Sequence, residues 1–203
     1  MRVITPSRPG YRIGVVVPNL NGGGAERVMA IMANAFAHVG YEVDLIAGRL
    51  AGPYIDLIEA PVRTYDLRSN SMTAALPGII SYLRTQRPDA LLASQNWVNV
   101  VTMLANRTSH ASARIVLREG THPEGEMRHG DSVRLRALRK LTARTYRRAD
   151  AVVAVSEEVK EYIVAHMGID PSRAHVIYGP HFDDRALAAA QQDTRHELSL
   201  IHI

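Results

Sequence analysis

An apolar, β-branched run, Arg12 to Val17 (RIGVVV), stops just short of three consecutive glycines, Gly22, Gly23 and Gly24, and helical spacing begins immediately afterwards at Ala25. A strand, a glycine turn and a helix make the opening step of a βαβ unit, and the apolar run predicts a strand buried on both faces. Val28, Ile31, Met32 and Ala35 mark a helix over 25–38 that Gly40 ends. The alternation recurs. Glu42 to Ala47 and Val62 to Asp66 read as strands, Gly78 to Arg87 as a helix closed by Pro88, and Ala90 to Ala93 and Ile115 to Arg118 as strands flanking a helix over 98–106. Ala151 to Val155 is the clearest late strand, Ser156 caps a helix that stops near Gly168, and His175 to Tyr178 is the last strand. Short βαβ steps predict an α/β fold with a doubly wound, mostly parallel sheet, which binds ligands at the carboxyl ends of its strands.

The glycines sit between the first strand and the first helix. Bare amides and the positive end of the helix dipole favour a phosphate there, while the plainer alternative is a strained turn. A dinucleotide fingerprint fits less well, because Arg27 stands where its third glycine belongs and the second strand ends in Gly48-Arg49 without an acidic residue. No Gly-Lys-Ser/Thr follows, so the loop is not a P-loop.

Composition removes several classes. The 203 residues, 46% hydrophobic, suffice for one sizeable core. There is no cysteine, which excludes disulfides and thiolate chemistry. The net charge of +4 is too small to argue for nucleic acid. No stretch approaches the apolar length of a membrane span, and residues 1–11 carry Pro6 and Pro9 instead of a signal-peptide core, so a cytoplasmic protein is expected. The charge collects in residues 131–150, where Leu135, Leu138, Leu141 and Thr145 share one helical face and Arg136, Lys140, Arg144, Arg147 and Arg148 spread over the other. Packing on the sheet is the expected use of this stripe, although a basic amphipathic helix can also rest peripherally on an anionic membrane. His122, Glu124, Glu126 and His129 lack metal-ligand spacing, so no metal site is expected.

Four segments in order, Gly23-Gly24-Ala25-Glu26-Arg27, REGT (Arg118 to Thr121), VVAVSEEV (Val152 to Val159) and IYGP (Ile177 to Pro180), resemble the amino-terminal, Rossmann-like domain of retaining GT-B glycosyltransferases of family four. The resemblance covers about residues 12–185 and implies a sugar-transferring enzyme without a cofactor, whose substrates are a nucleoside-diphosphate sugar and a saccharide or lipid-linked acceptor. It implies that Gly22, Gly23 and Gly24 face the donor diphosphate. It implies too that Asn96, Trp97, Arg118, Glu119, Thr121 and Ser156 border the acceptor cleft, and that His122 is the catalytic candidate, orienting an acceptor hydroxyl or the reacting sugar.

Ser156 is also explained as a helix cap, and Trp97 as core. Relatives often carry asparagine where Gly179 stands. Their paired glutamates, with seven residues between them, lie in a second domain, and no pair here has that separation. The expected organisation is therefore an extension over 1–11, the domain over 12–180, a linker over 181–197 toward a second domain, and a tail, Leu198 to Ile203 (LSLIHI), resembling the translation of a sequencing-library adapter. Such a half enzyme should not turn over alone. The rival readings are an NAD(P)-binding oxidoreductase or epimerase domain and a non-catalytic carbohydrate-binding module.

Overall fold

The computed structural model describes residues 10–120 and 133–180, with the backbone alone for 133–139. Its strands are β1 (Arg12–Val17), β2 (Glu42–Ala47), β3 (Arg63–Asp66), β4 (Ala90–Ser94), β5 (Arg114–Glu119), β6 (Ala151–Ala154) and β7 (Ala174–Val176). The helices are α1 (Gly24–His38), α2 (Met72–Gln86), α3 (Asn96–Ser109), α4 (Val133–Tyr146) and α5 (Glu157–Met167), with short 3-10 turns at Pro53–Leu57 and Pro171–Arg173. All seven strands lie in one sheet of order β3-β2-β1-β4-β5-β6-β7, and every pairing is parallel. The expected α/β, doubly wound, Rossmann-like architecture is present.

Parallel strands expose both faces to helices, and the residue alternation assigns each side chain to one of two cores. Val16, Ile46, Leu91, Ile115, Leu117 and Val152 turn to the face packed by α2, α3, α4 and α5. Val15, Val17, Val43, Leu45 and Leu92 turn to the other, where α1 adds Met29, Ala33 and Ala37. Among the described residues, α1 and the turn at Pro53–Leu57 are the helical cover on this second face, and they lie over β1 and β2.

One of the charges buried in the sheet lies on β2. Asp44, fully buried in β2, accepts 2.7 Å from the Tyr82 hydroxyl of α2 and 2.8 Å from Nε of Arg63 in β3. Burial and this hydrogen bond push the Tyr82 phenol well above its ordinary pKa. The trio fastens two strands and a helix on one flank of the sheet.

Three expectations are corrected. Helix α2 begins at Met72, because Ser71 caps it by accepting 3.2 Å from the amide of Ala74, and the buried Met72 and Ala75 hold a first turn in spite of Pro77. Helix α3 begins at Asn96 and runs to Ser109, longer at both ends than 98–106. On α4 the inward side chains are Thr142 and Tyr146, whereas Leu141 is 50% exposed. Over the described side chains, 140–146, the inward face thus differs by one position, about 100°, from the face read in the sequence, Leu135 and Leu138 lie outside the described side chains, and Tyr146 enters the core to reach a carboxylate on β5.

Candidate functional site

The strand order reverses between β1 and β4. The loop after β1 leads toward β2 and β3 and the loop after β4 leads the other way, the topology for which a crevice is expected beyond their carboxyl ends. On one side stand Gly22, Gly23 and Gly24, all exposed; on the other stand Gln95, Asn96 and Trp97.

The three glycines have three different reasons. Gly22 has φ 113°, a conformation that favours glycine. Gly23, the N-cap of α1, leaves the place of a side chain to the carboxylate of Glu26, which folds back against it. Gly24 has no heavy atom within 4 Å of the position a Cβ would take, so nothing inside the described protein requires a glycine there. Among the described residues no acceptor meets the amides of these three glycines, and the first turn of α1 adds its own unpaired N–H groups.

Two structural supports hold the loop. Tyr54 donates its hydroxyl to the carbonyl of Gly22 at 3.0 Å and its amide to Leu20 at 3.2 Å, and Leu20 in turn donates to Ala51 at 2.9 Å. Across the crevice, Gln95 donates from Nε2 to Oε1 of Glu26 at 2.8 Å. Gln95 is a non-glycine residue with φ 78°, a sparsely populated conformation that recurs at functional sites. This link joins residues 69 positions apart, and sequence reasoning missed it and the Tyr54 support. A carboxylate near a helix N-terminus stabilises the helix, which explains Glu26 locally.

The other candidates separate. Arg118 and Glu119, adjacent on β5, point to opposite faces. Arg118 lies on the α1 face, 4% exposed, with Nη1 3.4 Å from Oγ of Ser94. Burial draws its pKa below the ordinary arginine value, with the charge of Glu119 acting in the opposite sense. Glu119, also buried, accepts 2.6 Å from the Tyr146 hydroxyl, which in turn accepts 2.7 Å from Nδ2 of Asn99. Tyr146 and Asn99 carried no sequence signal beyond their polarity. Trp97 is 44% exposed, with Nε1 donating 3.2 Å to Thr73, so it is not core. Asn96 is half-buried at the start of α3. Ser156 caps α5, its Oγ accepting 3.3 Å from the amide of Val159. Thr121, His122, Glu124, Glu126 and His129 lie outside the described residues. Among the described residues no cluster of three or more potential metal ligands occurs, and no helix is long and apolar enough to cross a membrane.

The family described as Glycosyltransferase Family 4 matches residues 22–181, which begin at the glycine loop and take in every strand after β1. The chain belongs to that family. No curated protein sequence matches it at a significant level. Among solved structures it is similar to the apo form of a lipopolysaccharide outer core galactosyltransferase, WaaB, at 17% identity and TM-score 0.55, over 83% of this chain and 46% of that one. It is similar to Anabaena Alr3699/HepE in complex with UDP and glucose, at 18% identity and TM-score 0.64, over 85% and 45%. A UDP-N-acetylglucosamine 2-epimerase described as putative, from Listeria monocytogenes, aligns at 15% identity and TM-score 0.64, over 94% and 50%. Likeness at these identities establishes the shared fold. The family domain spans about half the length of the structures it resembles.

Proposed function

We propose that this domain is the acceptor-side half of a glycosyltransferase that moves a hexosyl group from a nucleoside-diphosphate sugar to a saccharide or lipid-linked hydroxyl, with retention. The observation that carries this reading is Gly24. In a family of sugar transferases, a bare and exposed glycine opens the first turn of α1 at the switch-point crevice, with nothing else in the described protein to require it. Amides aimed at a diphosphate act where negative charge grows as the sugar leaves, which is the most productive place for an enzyme to put dipoles.

Gly22, Gly23 and Gly24 would hold that diphosphate. Asn96, Trp97, Arg118, Glu119, Thr121 and Ser156 are assigned to the acceptor side, with His122 orienting the reacting hydroxyl. No cofactor or metal enters this chemistry. Residues 12–180 form the unit, 1–11 an extension and 181–197 a linker toward a donor-binding domain. Most of the cations that stabilise the diphosphate are assigned to that second domain, so the 203-residue chain alone should bind nucleotide weakly and turn over negligibly. Saturation-transfer NMR on the purified chain with UDP-glucose, GDP-mannose and NADP tests the assignment. Preferential saturation of a nucleotide sugar is expected, and preference for NADP would replace transfer by a nicotinamide-dependent reaction.

The enzyme would work in the cytoplasm, at the inner face of a membrane. Support comes from the outer groove between α3 and α4, where the half-exposed Leu104 and Leu141 lie among Arg107, Arg144 and Arg148. Apolar side chains flanked by cations suit an anionic bilayer surface. The chain should cosediment with phosphatidylglycerol liposomes at low salt and be released as salt rises. No cosedimentation at low salt would end the membrane assignment.

A further inference from the structure

Arg118 is a buried cation with little to bind. Its side chain lies on the α1 face of β5, 4% exposed, while the carboxylate next to it in sequence turns to the opposite face and is held by Tyr146. Among the described residues, one of its five N–H donors has an acceptor, Oγ of Ser94, at the long distance of 3.4 Å. Two backbone positions are kept bare around the guanidinium. A Cβ at Gly120 would lie 2.9 Å from Nη1, and a Cβ at Gly179 would lie 2.8 Å from Nη2. The guanidinium borders an apolar cavity of about 210 Å³, whose walls include Phe36, Val116, Val153, Ile177 and Tyr178. Gly179 also approaches Val28, so the cavity's charged end adjoins the early turns of α1.

A charge removed from water without a partner is costly, and proteins ordinarily pair it. Here two glycines leave space around the charge, and among the described residues it is met by the long contact to Ser94 and the neighbouring charge of Glu119. We propose that Arg118 is the receptor for a substrate phosphate, held bidentately by the guanidinium and supported by the hydroxyl of Ser94. The planar fork of arginine matches phosphate geometry. The phosphate belongs either to the diphosphate of the donor or to an acceptor carrying a phosphate on an apolar body, which the cavity walls would accept. This deepens the sugar-transfer reading and rests on it only for the identity of the ligand.

The test compares wild type with Arg118→Met and Arg118→Lys, using inorganic pyrophosphate and butyl phosphate as probes in NMR titrations and recording melting temperatures without ligand. Methionine fills similar volume without charge. Arg118→Met should therefore weaken binding of one probe at least tenfold while raising the melting temperature by about 2 °C or more, because an uncompensated charge is gone. Arg118→Lys should keep the charge, lose the fork, and bind with intermediate affinity. A purely structural arginine would give the reverse, lower stability with unchanged affinity. If pyrophosphate is the probe affected, the site serves the donor; if butyl phosphate, the acceptor. Binding of both probes that is indifferent to Arg118→Met and Arg118→Lys overturns the proposal, as does failure of wild type to bind either. Loss of the nucleotide-sugar preference would instead sink sugar transfer and leave an Arg118-dependent phosphate site standing.

Discussion

Gly52→Ala should lower the melting temperature of this chain by about 6–12 °C, corresponding to roughly 3 kcal/mol for a domain of this size. Gly52 has φ 118° and ψ 167°, a region that residues with a Cβ scarcely enter. A Cβ there would also collide with the carbonyl of Leu20 and with the amide nitrogen of Asn21, which are backbone atoms and cannot swing aside. Leu20 and Asn21 lead directly into Gly22, and the Leu20 carbonyl accepts from Tyr54. The damage should therefore reach the glycine loop, and ligand affinity should fall along with stability. Thermal unfolding followed by circular dichroism reads the first effect. A loss under about 2 °C would show that the loop can shift freely, and the description of it as braced would be wrong.

Asp44→Ala should cost about 2–3 kcal/mol, chiefly because a buried hydroxyl loses its acceptor, while Arg63 is half-exposed and its charge returns to water. The substitution leaves the buried Tyr82 hydroxyl without its acceptor and strips Arg63 of its 2.7 Å partner. Asp44→Asn should cost less, because an amide oxygen still accepts a hydrogen bond. Urea denaturation of the two variants gives the comparison. Equal losses would mean that the lost charge matters and the hydrogen bond does not, and a loss below about 1 kcal/mol for alanine would refute the fastening role.

The parts of the fold legible in the sequence are those governed by local periodicity. The bounds of β1 and β2 agree with the structure, and α1 differs by one residue, because glycine and β-branched residues punctuate that stretch strongly. The start of α2 was hidden by Pro77, which reads as a stop although Ser71 had already capped the helix. The facing of α4 was misread because a helical wheel counts apolar residues and cannot know that a tyrosine will turn inward to donate to a buried glutamate.

Legibility in the crevice follows the same division. The glycine run announced a close approach of something, and the structure divides that signal. Gly22 is conformational, Gly23 makes room for Glu26, and Gly24 has no such internal reason among the described residues. The Gln95–Glu26 and Tyr146–Glu119 links pair residues far apart in sequence, so no spacing could reveal them. Gly179, read as a departure from the asparagine of relatives, is explained by the guanidinium of Arg118 lying against it.

The central claim is that the amides opening α1 receive the diphosphate of a nucleotide sugar. Titrating the isotopically labelled chain with UDP-glucose, or with GDP-mannose if that is the one preferred, and following every backbone amide tests it directly. The largest shifts are expected on Gly22, Gly23, Gly24 and Ala25. Shifts that leave these four unmoved, or that cluster at the opposite ends of the strands, would contradict it.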